Sequence, residues 1–186
     1  MTNTDAFLSV TPAIAAARDG WRHTGAKRPP FAEIPDRDQE SVWDFPRPPR
    51  IEDVAARLTV KHGANVAAET VRGKRVLETS HAPTFYFPAA DVDLDLVAAQ
   101  AGGSHCEWKG ISRGITVAGI PDAGWQLINA YSEFAELAGW MAFYPSKLDC
   151  FVGDERARPQ GGSFYGGWVT DRLAGPIKGA PGSGGW

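Results

Sequence analysis

Seven consecutive residues, SHCEWKG from Ser104 to Gly110, bring together a histidine, a thiol, a carboxylate, an indole and an ammonium. Read as a strand, the alternation puts Ser104, Cys106 and Trp108 on one face and His105, Glu107 and Lys109 on the other. The plain structural reading is that Cys106 and Trp108 fill a core while the charged residues form a solvated face. The functional reading makes the strand one wall of a shallow cleft. Lys109 ends it beside Gly110, where a long side chain swings over a rim and meets an anionic or carbonyl-bearing group as a mobile point charge. Cys106 as a nucleophile would need a base and a depressed pKa, for which His81 or Lys109 would have to be close.

A second cluster, RVLETSH from Arg75 to His81, carries Glu78 and His81. As a strand it places a charged residue on each face, which fits an edge strand. It also fits a cleft wall in which Glu78 and His81 serve as acid, base or hydrogen-bonding ligands. His81 stands just before Ala82-Pro83, where the chain has to leave its strand, so its ring belongs at a mouth. The expected site therefore joins SHCEWKG to ETSHAPTFYF: Lys109 and His81 meet the ligand, Glu78 orients one of them, and Tyr86 or Trp108 supplies a flat apolar surface, with Cys106 alongside.

Other chemistries lack their spacing. A structural zinc site wants four Cys or His ligands, often in C-x-x-C pairs, and Cys106 and Cys150 are far apart in sequence. His81, His105 and Cys106 include no H-x-E paired with P-C-x-x-C. The alternating carboxylates of DVDLD, Asp91 to Asp95, suit Mg2+, but the Gly-Ser step that accompanies such acids in nucleotidyl transfer lies downstream, at Gly103-Ser104; a solvated turn is expected. GPIKGAPGSGGW has no G-K-[ST] ending and is no phosphate loop. No metal and no cofactor is expected, and both cysteines are expected as reduced thiols.

The elements that must position these residues are mostly strands. The 186 residues are 43% hydrophobic, enough for one core, and 14 Pro with 21 Gly leave little room for long helices. A net charge of −3 provides no basic face for nucleic acid. No apolar run approaches the ~20 residues that span a bilayer, and the start of the chain does not read as a secretory leader, so a cytoplasmic setting is expected. Residues 1–40 read as an arm, with a helix capped by Thr11, opened by Pro12 and stopped at Gly20. Trp43 and Phe45 anchor the start of a globular part, 41–160. ARLTVKHG, NVAAET, KRVLETS, TFYFP, SRGITVAG, AGWQLINA, WMAFYP and LDCFV read as strands, with VRG as a hairpin turn between NVAAET and KRVLETS, and YSEFAELAGW as a short helix. Residues 161–186, with Phe164, Tyr165, Trp168 and Trp186, read as an ordered strap over the same domain.

Together ESVWDFPRPPR, RVLETSHAPTFYFP, HCEWKG, GWMAFYPSKLDCFV, GGSFYGGW and GPIKGAPGSGGW resemble the bacterial family catalogued as domain of unknown function 427, over about residues 40–186. The resemblance implies a mainly β, compact antiparallel domain related to the β-tent folds of methionine sulfoxide reductase B and cereblon's ligand-binding domain, a small barrel or sandwich with one or two short helices. It places Glu78, Ser80, His81 and Tyr86 in one family segment and Cys106, Trp108, Lys109 and Gly110 in another. The zinc of those fold relatives does not carry over without its Cys pairs. A nucleotidyltransferase label attaches to the family, against which stands the missing Gly-Ser-to-Asp spacing. The leading expectation for function is a small-molecule-binding domain. The alternatives are an enzyme, nucleotidyltransferase-like or a hydrolase, using Lys109, His81 and Glu78, or a structural module.

Overall fold

A computed structural model describes residues 7–186. The first helix is α1 (Pro12–Asp19), and it starts for the expected reason: the Thr11 side chain accepts the Ile14 N–H at 3.3 Å and proline opens the first turn. The strands then follow as β1 (Glu40–Ser41), β2 (Arg50–Asp53), β3 (Leu58–His62), β4 (Asn65–Thr70), β5 (Lys74–Leu77) and β6 (Thr84–Tyr86). Three long strands come next: β7 (Val97–Cys106), β8 (Gly110–Val117) and β9 (Ile120–Ala130). Short strands complete the chain: β10 (Met141–Phe143), β11 (Asp149–Val152), β12 (Glu155–Arg156), β13 (Arg158–Pro159), β14 (Trp168–Val169) and β15 (Leu173–Ala174).

The architecture is mainly β and antiparallel. One four-stranded sheet runs β10-β9-β8-β7, another β12-β11-β3-β4, and a three-stranded sheet β2-β5-β6; no sheet among the described residues closes into a barrel. Two small pairs add β13-β14 and the parallel β1-β15. The segment YSEFAELAGW is helical as expected, but as a 3-10 stretch over Ser132–Leu137. No helix among the described residues is long and apolar enough to cross a membrane.

Two local readings are corrected. VRG does not close a hairpin: β4 pairs with β3, whereas β5 pairs with β2 and β6, so the chain changes sheets at a bend around Val71–Gly73. And Arg75–His81 is not one strand with a polar face. Its strand ends at Leu77, and Val76 and Leu77 are both buried, one in each of two neighbouring apolar clusters.

The main core lies between the two four-stranded sheets, where Leu58, Val60, Phe87, Ile115, Val117, Phe143, Cys150 and Trp168 meet. Trp168 is fully buried and its indole N–H donates to the Phe143 carbonyl at 2.9 Å, so the C-terminal strap contributes a central side chain. A second cluster of Val76, Tyr86, Trp108, Leu127, Phe134 and Leu137 lies under the β7–β8 hairpin and supports the site from below. In DVDLD, Asp91 is held by Thr70 and Arg72, and Asp93 caps its own turn by accepting the Asp95 N–H, so these carboxylates are used by turns. No cluster of three metal-ligating side chains exists among the described residues.

Candidate functional site

SHCEWKG is a hairpin end. The strand stops at Cys106, Glu107–Lys109 form the turn, and β8 begins at Gly110. Gly110 has φ 123°, and a Cβ there would lie 2.2 Å from the Asn129 carbonyl, so glycine is needed both for the conformation and for the close approach of β9. The N-terminal arm pins the turn: Arg18 donates to the Glu107 carbonyl at 2.7 Å, and the Trp21 indole N–H donates to the Glu107 carboxylate at 3.1 Å. Lys109 is therefore fixed on a turn rather than at a strand end.

The opposite wall is the turn after β5. The His81 N–H donates to the Glu78 carbonyl, and Ser80 between them has φ 69° and is fully buried. Arg47, itself buried, bonds the Glu78 carboxylate at 3.0 Å and the carbonyls of Thr79 and His23. The His81 ring faces the Thr79 carbonyl through Nδ1 at 3.0 Å. A carbonyl only accepts, so Nδ1 carries the proton and Nε2 keeps its lone pair. Burial pushes the His81 pKa below its ordinary value, against the weaker pull of Glu78, and the ring is neutral at pH 7. Tyr165 closes on it edge to face, with centroids 5.1 Å apart.

Between these walls is a cavity of about 260 Å³, lined by Glu78, His81, Cys106 and Lys109 among others. Four of the six residues expected from sequence thus meet. The other two do not line it. Tyr86 is fully buried behind the wall, its hydroxyl accepting the Trp125 indole N–H at 3.3 Å. Trp108 is buried beneath the hairpin turn, with the Arg18 guanidinium 5.1 Å from its ring. Both are large apolar groups for which the core competes more strongly than a solvent-facing wall. The flat surfaces come instead from Trp21, Trp125, Tyr144, Phe164 and Tyr165.

The strap supplies the rest. Gln160 accepts the Ala82 N–H at 3.1 Å and donates to the Lys178 carbonyl at 2.8 Å, tying three segments together. Lys178 is buried, donates to the Trp186 carbonyl and sits 4.2 Å from the Trp21 ring. Gly166 is constrained by closeness: a Cβ would come within 2.3 Å of the Trp125 ring.

The electrostatics single out Lys109. Burial raises the pKa of the Cys106 thiol, and likewise that of the Tyr86 phenol, so both are neutral at pH 7. For Lys109, burial opposes the charge, but the Glu78 and Glu107 carboxylates, joined by Tyr86 and Cys106 where these ionise at high pH, outweigh it, and its pKa lies above the ordinary lysine value. It is an ammonium. Yet Glu78 is taken by Arg47 and Glu107 by Trp21, and among the described residues no carboxylate or carbonyl gives the Lys109 Nζ an ion pair or hydrogen bond; the group beside it is the neutral Tyr86 hydroxyl. Every other Lys or Arg that is not solvent-exposed has such a partner: Arg18, Arg47, Lys74, Arg75 and Lys178. Cys106 is half-buried in the same cluster as Trp108; its raised pKa and its position beside Glu107 make it a poor nucleophile at neutral pH.

Residues 50–154, more than half the chain, match the family described as Domain of unknown function (DUF427), and the chain belongs to that family. No curated protein matches it. Glu78, His81, Cys106 and Lys109 fall within the matched segment, whereas Trp21, Gln160, Tyr165 and Lys178 reach the cavity from outside it.

Proposed function

We propose that this DUF427 chain is a binding protein for a small organic anion, with Lys109 as the countercharge. The observation that carries the reading is an ammonium that has the neutral Tyr86 hydroxyl beside it but no carboxylate or carbonyl partner, in an aromatic-walled cavity. Glu78 and Glu107 keep the lysine charged without pairing with it, so an anionic ligand could take its N–H groups directly. The neutral His81 ring adds one hydrogen-bonding nitrogen without competing for the charge. Lys178, close to Trp21 and held by the Trp186 carbonyl, adds positive potential at the far wall. A cavity of about 260 Å³ suits a compact ligand. The free thiols of Cys106 and Cys150 are in keeping with a reducing, cytoplasmic setting.

Native mass spectrometry of gently purified protein tests this. The wild-type chain should retain a small anion that Lys109→Met does not retain; equal retention by both would refute the role of Lys109. A second reading, an enzyme, rests on His81 alone, whose Nε2 lone pair is available as a general base. It requires that a retained ligand be chemically altered on incubation with wild-type protein and left intact by His81→Ala.

A further inference from the structure

Beside the cavity lies a second cleft of about 210 Å³ that shares Ser104, Trp125 and Tyr144 with it. Two irregularities in the β7-β8-β9 sheet build it. Between the pairs Ala99–Ile115 and Gly103–Arg113, strand β7 carries Gln100, Ala101 and Gly102 where β8 has only Gly114. Between Ile115–Gly124 and Val117–Ile120, strand β9 carries Pro121, Asp122 and Ala123 where β8 has only Thr116. Extra residues on both neighbours of one strand, at adjacent positions, bend the flanking strands and re-aim side chains that regular pleating would hold apart.

The side chains so aimed are Gln100 and Asp122. With the amide oriented to satisfy both its ends, Gln100 donates to an Asp122 carboxylate oxygen at 2.7 Å and accepts from the Asp122 N–H at 3.1 Å and the Thr116 hydroxyl at 3.0 Å. The other Asp122 oxygen has no partner among the described residues. Asp122 has φ 52°, a conformation disfavoured for a side-chain-bearing residue, and Gly114 leaves the room that Gln100 occupies, since a Cβ there would lie 2.7 Å from the end of its amide. The two clefts thus differ in sign. One presents an ammonium, the other a fixed carboxylate acceptor, and the Trp125–Tyr144 pair, 4.8 Å between centroids, lies between them.

We infer that the ligand is an anionic sugar: its carboxylate or phosphate meets Lys109, its ring lies along Trp125 and Tyr144, and its hydroxyls donate to Asp122. This rests on the anion reading of the first cavity and adds the second cleft to it. A carboxylate acceptor beside an aromatic face suits a hydroxyl-rich ring, whose O–H groups donate while its C–H face covers the aromatic surface. A plain fatty or aromatic acid would leave Asp122 facing apolar atoms.

Isothermal titration with four probes tests it: acetate, inorganic phosphate, D-glucuronate and glucose 6-phosphate, each against wild-type, Lys109→Met and Asp122→Asn protein. One of the two sugar anions should bind at least tenfold more tightly than the simple ion carrying the same charged group, and whichever it is identifies carboxylate or phosphate. Asp122→Asn should weaken that sugar about tenfold and leave the simple ion unchanged, while Lys109→Met should remove both. If the simple ion binds through Lys109 but neither sugar gains over it, or Asp122→Asn changes nothing, the sugar inference fails and the anion reading stands. If no probe binds in a Lys109-dependent manner, the anion reading fails and the sugar inference with it.

Discussion

Lys109 and Arg47 are both cations withdrawn from water, and their environments predict losses of different size. Arg47 satisfies its guanidinium on Glu78, Thr79 and His23. Arg47→Met would leave the Glu78 carboxylate unpaired and should cost about 3 kcal/mol of unfolding free energy, measured by urea denaturation. Adding Glu78→Met to it should recover part of that loss. Lys109 has no such partner, and only more distant carboxylates favour its charge, so Lys109→Met should cost no more than about 1 kcal/mol while ligand retention is lost. His81 gives a pH test. Its folded pKa lies below the ordinary 6.5, so on acidification the unfolded chain takes up its proton first. Stability should be level above that value and fall as the pH drops below it, and His81→Phe should flatten that fall; His23, also lowered, leaves a residual slope. What sequence made legible at this scale was residue type and local position. Glu78, His81, Cys106 and Lys109 sit in short polar stretches flanked by strand, and they do share a cavity. Tyr86 and Trp108 misled because a large aromatic reads the same whether it walls a cleft or fills a core.

Turns, more than strands, set the geometry of the site. The period-2 pattern marked ARLTVKHG and SRGITVAG correctly because one face of each packs on the core. It ran too far through SHCEWKG, where Glu107–Lys109 turn without any Asn-Gly or Asp-Gly signature and are held instead by Arg18 and Trp21 from the arm. VRG misled for a related reason: a turn signal says that the chain reverses, not which sheet it joins. Since Gly110 fixes the direction in which the turn leaves, Gly110→Ala should destabilise by about 2 kcal/mol or more, read from thermal or urea unfolding. Gly166→Ala is a gentler probe. Its methyl would meet the Trp125 ring, so ligand affinity should fall more than stability, and a loss confined to stability would mean that Trp125 does not wall the site.

The whole molecule gathers the cavity from five separated stretches: the arm at Trp21, the turn at Glu78–His81, the β7–β8 hairpin, the β9–β10 pair with Trp125 and, just after it, Tyr144, and the strap with Gln160, Tyr165 and Lys178. Such convergence is set by tertiary contacts between residues far apart in sequence, which no local pattern encodes. Trp43 and Trp186 meet in this way, 5.2 Å between rings, as do Trp168 and the main core. Trp168→Ala should therefore cost about 3–5 kcal/mol, the value for a fully buried aromatic rather than for a loosely attached tail. The central claim remains that Lys109 is a countercharge awaiting an anion, and the most direct measurement is an NMR titration of protein carrying 13C-labelled lysine with D-glucuronate and with inorganic phosphate. One of the two should produce a saturable shift of the Lys109 methylene next to the ammonium at concentrations that leave the exposed Lys27, Lys61 and Lys147 signals unmoved. A Lys109 signal that stays fixed with both, or that drifts in step with the exposed lysines, would contradict it.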